Sequence, residues 1–258
     1  MSRALAIAGR ELRAIFATPV AYVMIAVYLV FSGFAFFLAL RSFLAAIQQI
    51  QAYQLHHMLD QFNLNQGLIE PTLGISSFVF LLLVPLLTMR VFAEERANGT
   101  IELLLTSPLS IWQIVLGKYL AVLIVLAMLV GLSALYPLLL FYFGDPEFLQ
   151  TLSGLIGLFL YGAAFAALGC FISALTRSQM SAALVTFFVG LILYLIDYFA
   201  ELSLQGTWQD VVRYLGLRLH FDNMAKGMVQ SEDLIYFAVV VVFFLSLVRA
   251  VTESLRWR

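Results

Sequence analysis

Six separate apolar runs, each near the roughly 20 residues a helix needs to cross hydrocarbon, divide a chain of 258 residues. They fall at 20–40, 74–92, 114–143, 152–175, 180–199 and 234–251. A bilayer core offers no water to satisfy backbone N–H and C=O groups, so runs of this length must become helices. The expected fold is an all-α integral membrane protein, one transmembrane domain over residues 1–258. Composition agrees, with 63% hydrophobic and 11% charged residues, against about 25% charged in soluble domains. Tyr22, Trp112, Tyr119, Tyr142, Tyr198 and Tyr236 stand near the run ends, where amphipathic rings favour the membrane–water boundary.

The basic residues orient the spans. Ten fall on one side (Arg3, Arg10, Arg13, Arg90, Arg96, Lys118, Arg177, Arg249, Arg256 and Arg258) and four on the other (Arg41, Arg213, Arg218 and Lys226). The excess of Lys and Arg on cytoplasmic loops predicts that both termini and the segment between spans 2 and 3 face the cytoplasm. Residues 2–17 carry Leu5, Ala8, Leu12, Ile15 and Phe16 at helical spacing, with Arg10, Glu11 and Arg13 mostly off that face. This predicts an amphipathic helix in the headgroup plane, ended by Thr18-Pro19. A cleavable signal peptide is not expected, because the charged start runs into a full-length span.

Between spans 2 and 3, residues 93–110 carry Glu94, Glu95, Arg96 and Glu102. Asn98-Gly99 is a turn dipeptide, Thr100 suits the cap of a short helix, and Glu102 sits near that helix's positive end. Ile101, Leu103 and Leu104 give it an apolar side, and Ser107-Pro108 stops it. Ser110-x-x-Gln113 is a capping box opening the next span. On the opposite side, residues 41–73 are Gln-rich and are expected to prolong the first helix. Trp208, Val211, Val212 and Leu215, spaced i, i+3, i+4, i+7, predict an amphipathic or re-entrant segment before span 6. The fourth span is rich in Gly, Ala and Ser, which permit close helix contact within the chain or between subunits.

Most chemistries find no support. No carboxylate relay crosses a span centre, as a proton-driven carrier would need. Gly117-Lys118 lacks a phosphate-binding frame, since Trp112 replaces the first glycine and Tyr119 the Ser/Thr. There is no basic stripe for nucleic acid. The single cysteine, Cys170, allows no internal disulfide and fits a packing role. His56-His57 with Asp60 lacks an ordered third metal ligand, so no metal is expected. Gly131-Leu132-Ser133-Ala134 with His220 partly matches the Ser/His motif of rhomboid proteases but misses its last glycine. No catalytic residue is assigned, and an intramembrane protease stands as a distant third possibility.

Several stretches resemble type-2 ABC transporter permeases. These are Thr88-Met89-Arg90, Phe92 to Arg96, Gly99 to Leu104, Ser107-Pro108 and Gln113 to Tyr119, joined by Arg10-Glu11-Leu12, Ala174-Leu175-Thr176 and His220-Phe221. The pattern is most similar to the gliding-motility-associated subgroup. The resemblance implies the membrane subunit of an exporter in the bacterial inner membrane, itself without bound cofactor, ATP and Mg residing on a separate cytoplasmic ATPase. The helix after Gly99 would be a coupling helix, with Glu94, Glu95, Arg96, Gly99, Thr100, Ile101, Glu102, Leu103 and Leu104 meeting that ATPase. Arg10, Glu11 and Arg13 would belong to the flanking interfacial helix. A second permease copy or paralogue, and a membrane-anchored auxiliary subunit, are further implied partners. The alternative is a non-transporting scaffold or mechanotransmitter driven by, or docking, an ATPase.

Overall fold

Thr18 and Pro19 divide the first two helices. The Thr18 hydroxyl donates to the Ile15 carbonyl at 2.8 Å and closes α1 (Arg3–Phe16), while Pro19 opens α2 (Pro19–Ala52). Proline suits that first position because its missing N–H would be unpaired there anyway. The computed structural model describes residues 3–53, 63–100, 109–144, 146–203 and 207–256, with backbone alone at 201–203 and 255–256. Among these the chain is all helical, and six helical stretches are long and apolar enough to cross a membrane. They are Pro19–Ala52, Asn65–Ala97, Ile111–Phe143, Phe148–Leu175, Gln179–Ala200 and Ser231–Ser254.

The second stretch starts as a π-helical turn, Asn65–Ile69, continues as α3 (Glu70–Thr88), and ends in the short α4 (Ala93–Ala97). The third is α5 (Ile111–Ser133) followed by α6 (Leu135–Phe143). Its break has a local cause: Pro137 has no N–H for the Ser133 carbonyl one turn back, so the ladder loses that bond, while Ala134 keeps its own bonds to Val130 and Leu138 at 3.1 Å. The Tyr136 hydroxyl then ties α6 to α2 through the Leu29 carbonyl at 2.8 Å. Next come α7 (Phe148–Leu175), α8 (Gln179–Ser203), α9 (Thr207–Tyr214), α10 (Leu217–Ala225) and α11 (Ser231–Arg256).

Helix α7 is the axis. It packs on α3, α5, α8, α10 and α11 and is buried along most of its length, whereas α2, α8 and α11 turn most side chains outward. Its small residues serve contacts within the chain. A Cβ at Gly169 would stand 2.3 Å from the Thr88 hydroxyl of α3, so only glycine lets those helices approach this closely. Cys170 is fully buried beside it as a packing residue. At the start of α7 the Glu147 N–H donates to the Asn65 side-chain oxygen at 2.8 Å, and the Asn65 amide donates back to the Glu147 carbonyl at 2.9 Å. A side chain from another span thus caps a helix whose own N-cap makes no side-chain bond.

The segment before span 6 forms two short helices, and they pack differently. Trp208, Val211 and Leu215 are exposed, and nothing on α9 is buried. The helix that packs inward is α10, which buries Leu217, His220, Phe221 and Met224 against α7. Periodicity identified an apolar face on α9, but the glycine at 157 decides which helix docks. A Cβ there would lie 2.8 Å from that of Met224. His56, His57 and Asp60 lie outside the described residues.

Candidate functional site

At one end of the bundle the chain leaves α3, turns through Met89–Phe92 and enters α4. The first amides of a helix lack partners within it, and Phe92, at the N-cap, has no acceptor side chain. Ser173 on α7 supplies one. Its hydroxyl accepts from the Phe92 and Ala93 N–H groups, both at 3.1 Å, and donates to the Met89 carbonyl at 3.1 Å. The Arg96 guanidinium donates to the Ala174 carbonyl at the end of α7, where a cation also complements the helix dipole. The break between α3 and α4 is therefore clamped to α7 at two points.

Glu95 faces the other way, toward α5. Its carboxylate lies 2.9 Å from the Lys118 Nζ and 3.7 Å from Arg10 on α1. Lys118 also meets Glu11 of α1 at 3.3 Å and donates to the Val91 carbonyl at 2.7 Å. Three acceptors thus satisfy the three N–H donors of one ammonium, and the Phe92 ring lies 5.4 Å from it. Sequence alone suggests that Lys118 anchors at the membrane boundary, but the side chain is only 2% exposed. It is the internal hub joining α1, α4 and α5. Gly117 makes room for this: a Cβ there would lie 2.8 Å from the Ala4 carbonyl oxygen, so α1 crosses α5 over a glycine.

The other anticipated residues are distributed unevenly around the hub. Arg10 pairs with Glu11 at 2.7 Å, while Arg13 is exposed and makes no ion pair among the described residues. Glu94 is exposed on the rim. Gly99 has φ +69°, the left-handed conformation that ends α4, and the Asn98 N–H closes back on the Glu94 carbonyl at 3.0 Å. The Thr100 hydroxyl donates to the Glu95 carbonyl at 3.4 Å. Ile101, Glu102, Leu103 and Leu104 lie outside the described residues. The capping box forms: Gln113 N–H to Ser110 Oγ at 3.3 Å, and Ser110 N–H to the Gln113 side chain at 3.2 Å.

The opposite end holds a second buried polar group. His220 Nδ1 lies 2.6 Å from the Asp233 carboxylate and Nε2 lies 3.1 Å from the Tyr214 carbonyl. Tyr236 stacks on the imidazole with ring centres 3.9 Å apart. Beside it, burial pushes the Asp222 carboxyl above the usual carboxylate range, against the pull of Arg218 and Lys226. Ser133 donates within its own helix to the Val130 carbonyl at 2.8 Å. A protease dyad needs the serine and histidine bonded to each other, and here both are committed elsewhere, so that pairing is not formed. Among the described residues no cluster of His, Cys, Asp and Glu could hold a metal ion.

Lys118 and Ser173 escaped the sequence-level site assignment because their partners lie far along the chain. A lysine directly after glycine in an otherwise apolar run was the available signal for the first. The second had none beyond its small-residue neighbourhood.

The probable multidrug ABC transporter permease YbhR of Escherichia coli strain K12 is 28% identical to this chain over 149 residues. Its counterpart in Escherichia coli O157:H7 matches equally. The alignment covers 55% of this chain and 39% of the relative, so the chain spans well under half the length of the curated proteins it matches. The profile of the ABC-2 family transporter proteins matches residues 5–215, a stretch that holds Glu11, Glu95, Lys118 and Ser173 alike. This multi-pass chain belongs to that family of ABC transporter permeases.

Proposed function

We propose that this chain is the permease subunit of an ABC exporter in the bacterial cytoplasmic membrane, driven by a separate cytoplasmic ATPase that holds ATP and Mg. The observation that carries this is the hub: one buried ammonium, on a span, gripping carboxylates from both flanking short helices. Severing a buried ion pair costs about 3–5 kcal/mol. A push on α4 is therefore transmitted into α5 through Glu95–Lys118 and into α7 through Ser173 and Arg96, rather than absorbed by local fraying. The ATPase contact would be made by Glu94, Gly99, Thr100 and residues 101–104, with Glu95 and Arg96 orienting that surface from behind through Lys118 and the Ala174 carbonyl, and with Arg10, Glu11 and Arg13 flanking. Both termini would be cytoplasmic. A second permease copy or paralogue would complete the path, and a membrane-anchored auxiliary subunit would join it, as in the gliding-motility-associated subgroup. The name of the YbhR relative, a probable multidrug permease, supports drug compounds as the first substrate class to try.

The test is purification of tagged protein from its native membranes in mild detergent, with mass spectrometry of its companions and an ATPase assay. A stoichiometric P-loop ATPase is expected, lost when Glu95 and Glu102 are both changed to Lys in a variant that still inserts. Purification without any nucleotide-hydrolysing companion would overturn the proposal. Retention of the ATPase with hydrolysis but no movement of any tested solute would favour the mechanotransmitter instead.

A further inference from the structure

Between α1, α2, α3 and α5, next to the hub, lies a cavity of about 130 Å³. Its floor is apolar, built from Met24, Leu87, Ala121 and Val122, and its mouth carries Arg90 and Glu94. The same two residues line an adjoining recess of about 620 Å³. The charges here are not equivalent. Lys118, Glu11, Glu95 and Arg10 bind one another. Arg90 and Glu94 make no ion pair among the described residues, and the Arg90 Nε is buried with no hydrogen-bond partner.

A buried N–H of a guanidinium without an acceptor is costly, and native proteins rarely leave one so. An anion answers the unpaired Arg90 N–H and an apolar tail fills the floor, and a cation with N–H donors adds a partner for Glu94, which is exposed at the rim. Guanidinium binds phosphate oxygens in pairs, and basic pockets between spans are known to take lipid headgroups. A glycerol or choline headgroup supplies the phosphate but no N–H donor cation for the carboxylate. The floor is comparable with the roughly 150 Å³ cavities that accept benzene, so it admits a short length of one acyl chain. Leu86 and Leu87 close α3, and Ala21 and Met24 open α2, which places the cavity where span ends meet the headgroup layer.

We infer that this cavity is a binding site for an ethanolamine phospholipid of the adjoining leaflet. The phosphate sits on Arg90, the ammonium on Glu94, and the first part of an acyl chain on Met24, Leu87 and Val122. The site stands whether or not the chain is a transporter. The bound lipid completes the packing of α1 against the spans beside the hub.

Native mass spectrometry of the full-length chain in detergent tests this, using dioleoylphosphatidylethanolamine, dioleoylphosphatidylglycerol, dioleoylphosphatidylcholine and dioleoylglycerol. The ethanolamine lipid is expected to bind tightest, and dioleoylglycerol roughly tenfold or more weakly, for loss of charge-assisted bonds. Arg90→Gln is expected to weaken the ethanolamine lipid by about the same factor and leave dioleoylglycerol unchanged. Glu94→Gln is expected to abolish the preference for ethanolamine over glycerol headgroups. Equal binding of phosphatidylethanolamine and dioleoylglycerol by the unmodified chain overturns the site, a comparison that needs no variant to fold. Tighter binding of phosphatidylglycerol overturns it too, as does an unaltered affinity in Arg90→Gln.

Discussion

The Lys118 ammonium lies 2.9 Å from the Glu95 carboxylate although 27 residues separate Lys118 from Val91, whose carbonyl it also binds. Glu95 is itself 17% exposed and leaves its second oxygen, Oε2, buried without a partner. The joint between α1, α4 and α5 depends on that ammonium. Replacing Lys118 with Met keeps the length and removes the charge, leaving Glu11 and Glu95 with Arg10 alone. A loss of about 3 kcal/mol in stability is expected, as for a buried pair deprived of one partner. Thermal unfolding in detergent measures it. Adding Glu95→Gln to Lys118→Met should return part of the loss, and a fully additive double variant would deny the coupling.

Ser173 is a packing residue by appearance and a cap by function. Ser173→Ala leaves the Phe92 and Ala93 amides without an acceptor, at a cost of about 1–3 kcal/mol. The specific sign is faster hydrogen exchange at residues 92 and 93, with the middle of α7 unchanged. Slow exchange there after substitution would mean that another acceptor takes over.

Gly117 sets the position of α1. Gly117→Leu places side-chain atoms where the Ala4 carbonyl and Ile7 now lie, so α1 must lift from α5. The expected cost is roughly 1–3 kcal/mol, read as increased exchange and proteolysis within residues 3–16. On the proposed function, the same variant is expected to lower ATP-driven activity, because Glu11 withdraws from Lys118.

At the other end, His220→Leu deprives the buried Asp233 of its 2.6 Å partner and leaves only the Asn223 amide at 3.4 Å. A destabilisation of about 1–3 kcal/mol is expected, the cost of a buried acceptor deprived of its donor. The double variant His220→Leu/Asp233→Leu removes both polar groups and should recover much of it. Thermal unfolding of the single and double variants decides, since a structural role for the imidazole ring alone predicts no recovery.

What the sequence determined by itself was everything set by local periodicity and solvent. Runs of apolar residues at 20–40, 74–92 or 152–175 become spans because the bilayer leaves the backbone no other way to satisfy its bonds. Asn98-Gly99 and the Ser110–Gln113 box were legible because their partners lie within a turn of them. The tertiary structure alone decided which polar residues meet. Lys118 could equally have reached the headgroups, as a long amphipathic side chain does at a span end. It turns inward because Gly117 lets α1 lie close enough to bring Glu11, and because Ser173 holds α4 where Glu95 can reach. Likewise the Trp208 face of α9 and the His220 face of α10 are both amphipathic, and packing on the small residues of α7 selects the second. Such choices rest on distances between residues far apart in the chain, and no periodicity records them.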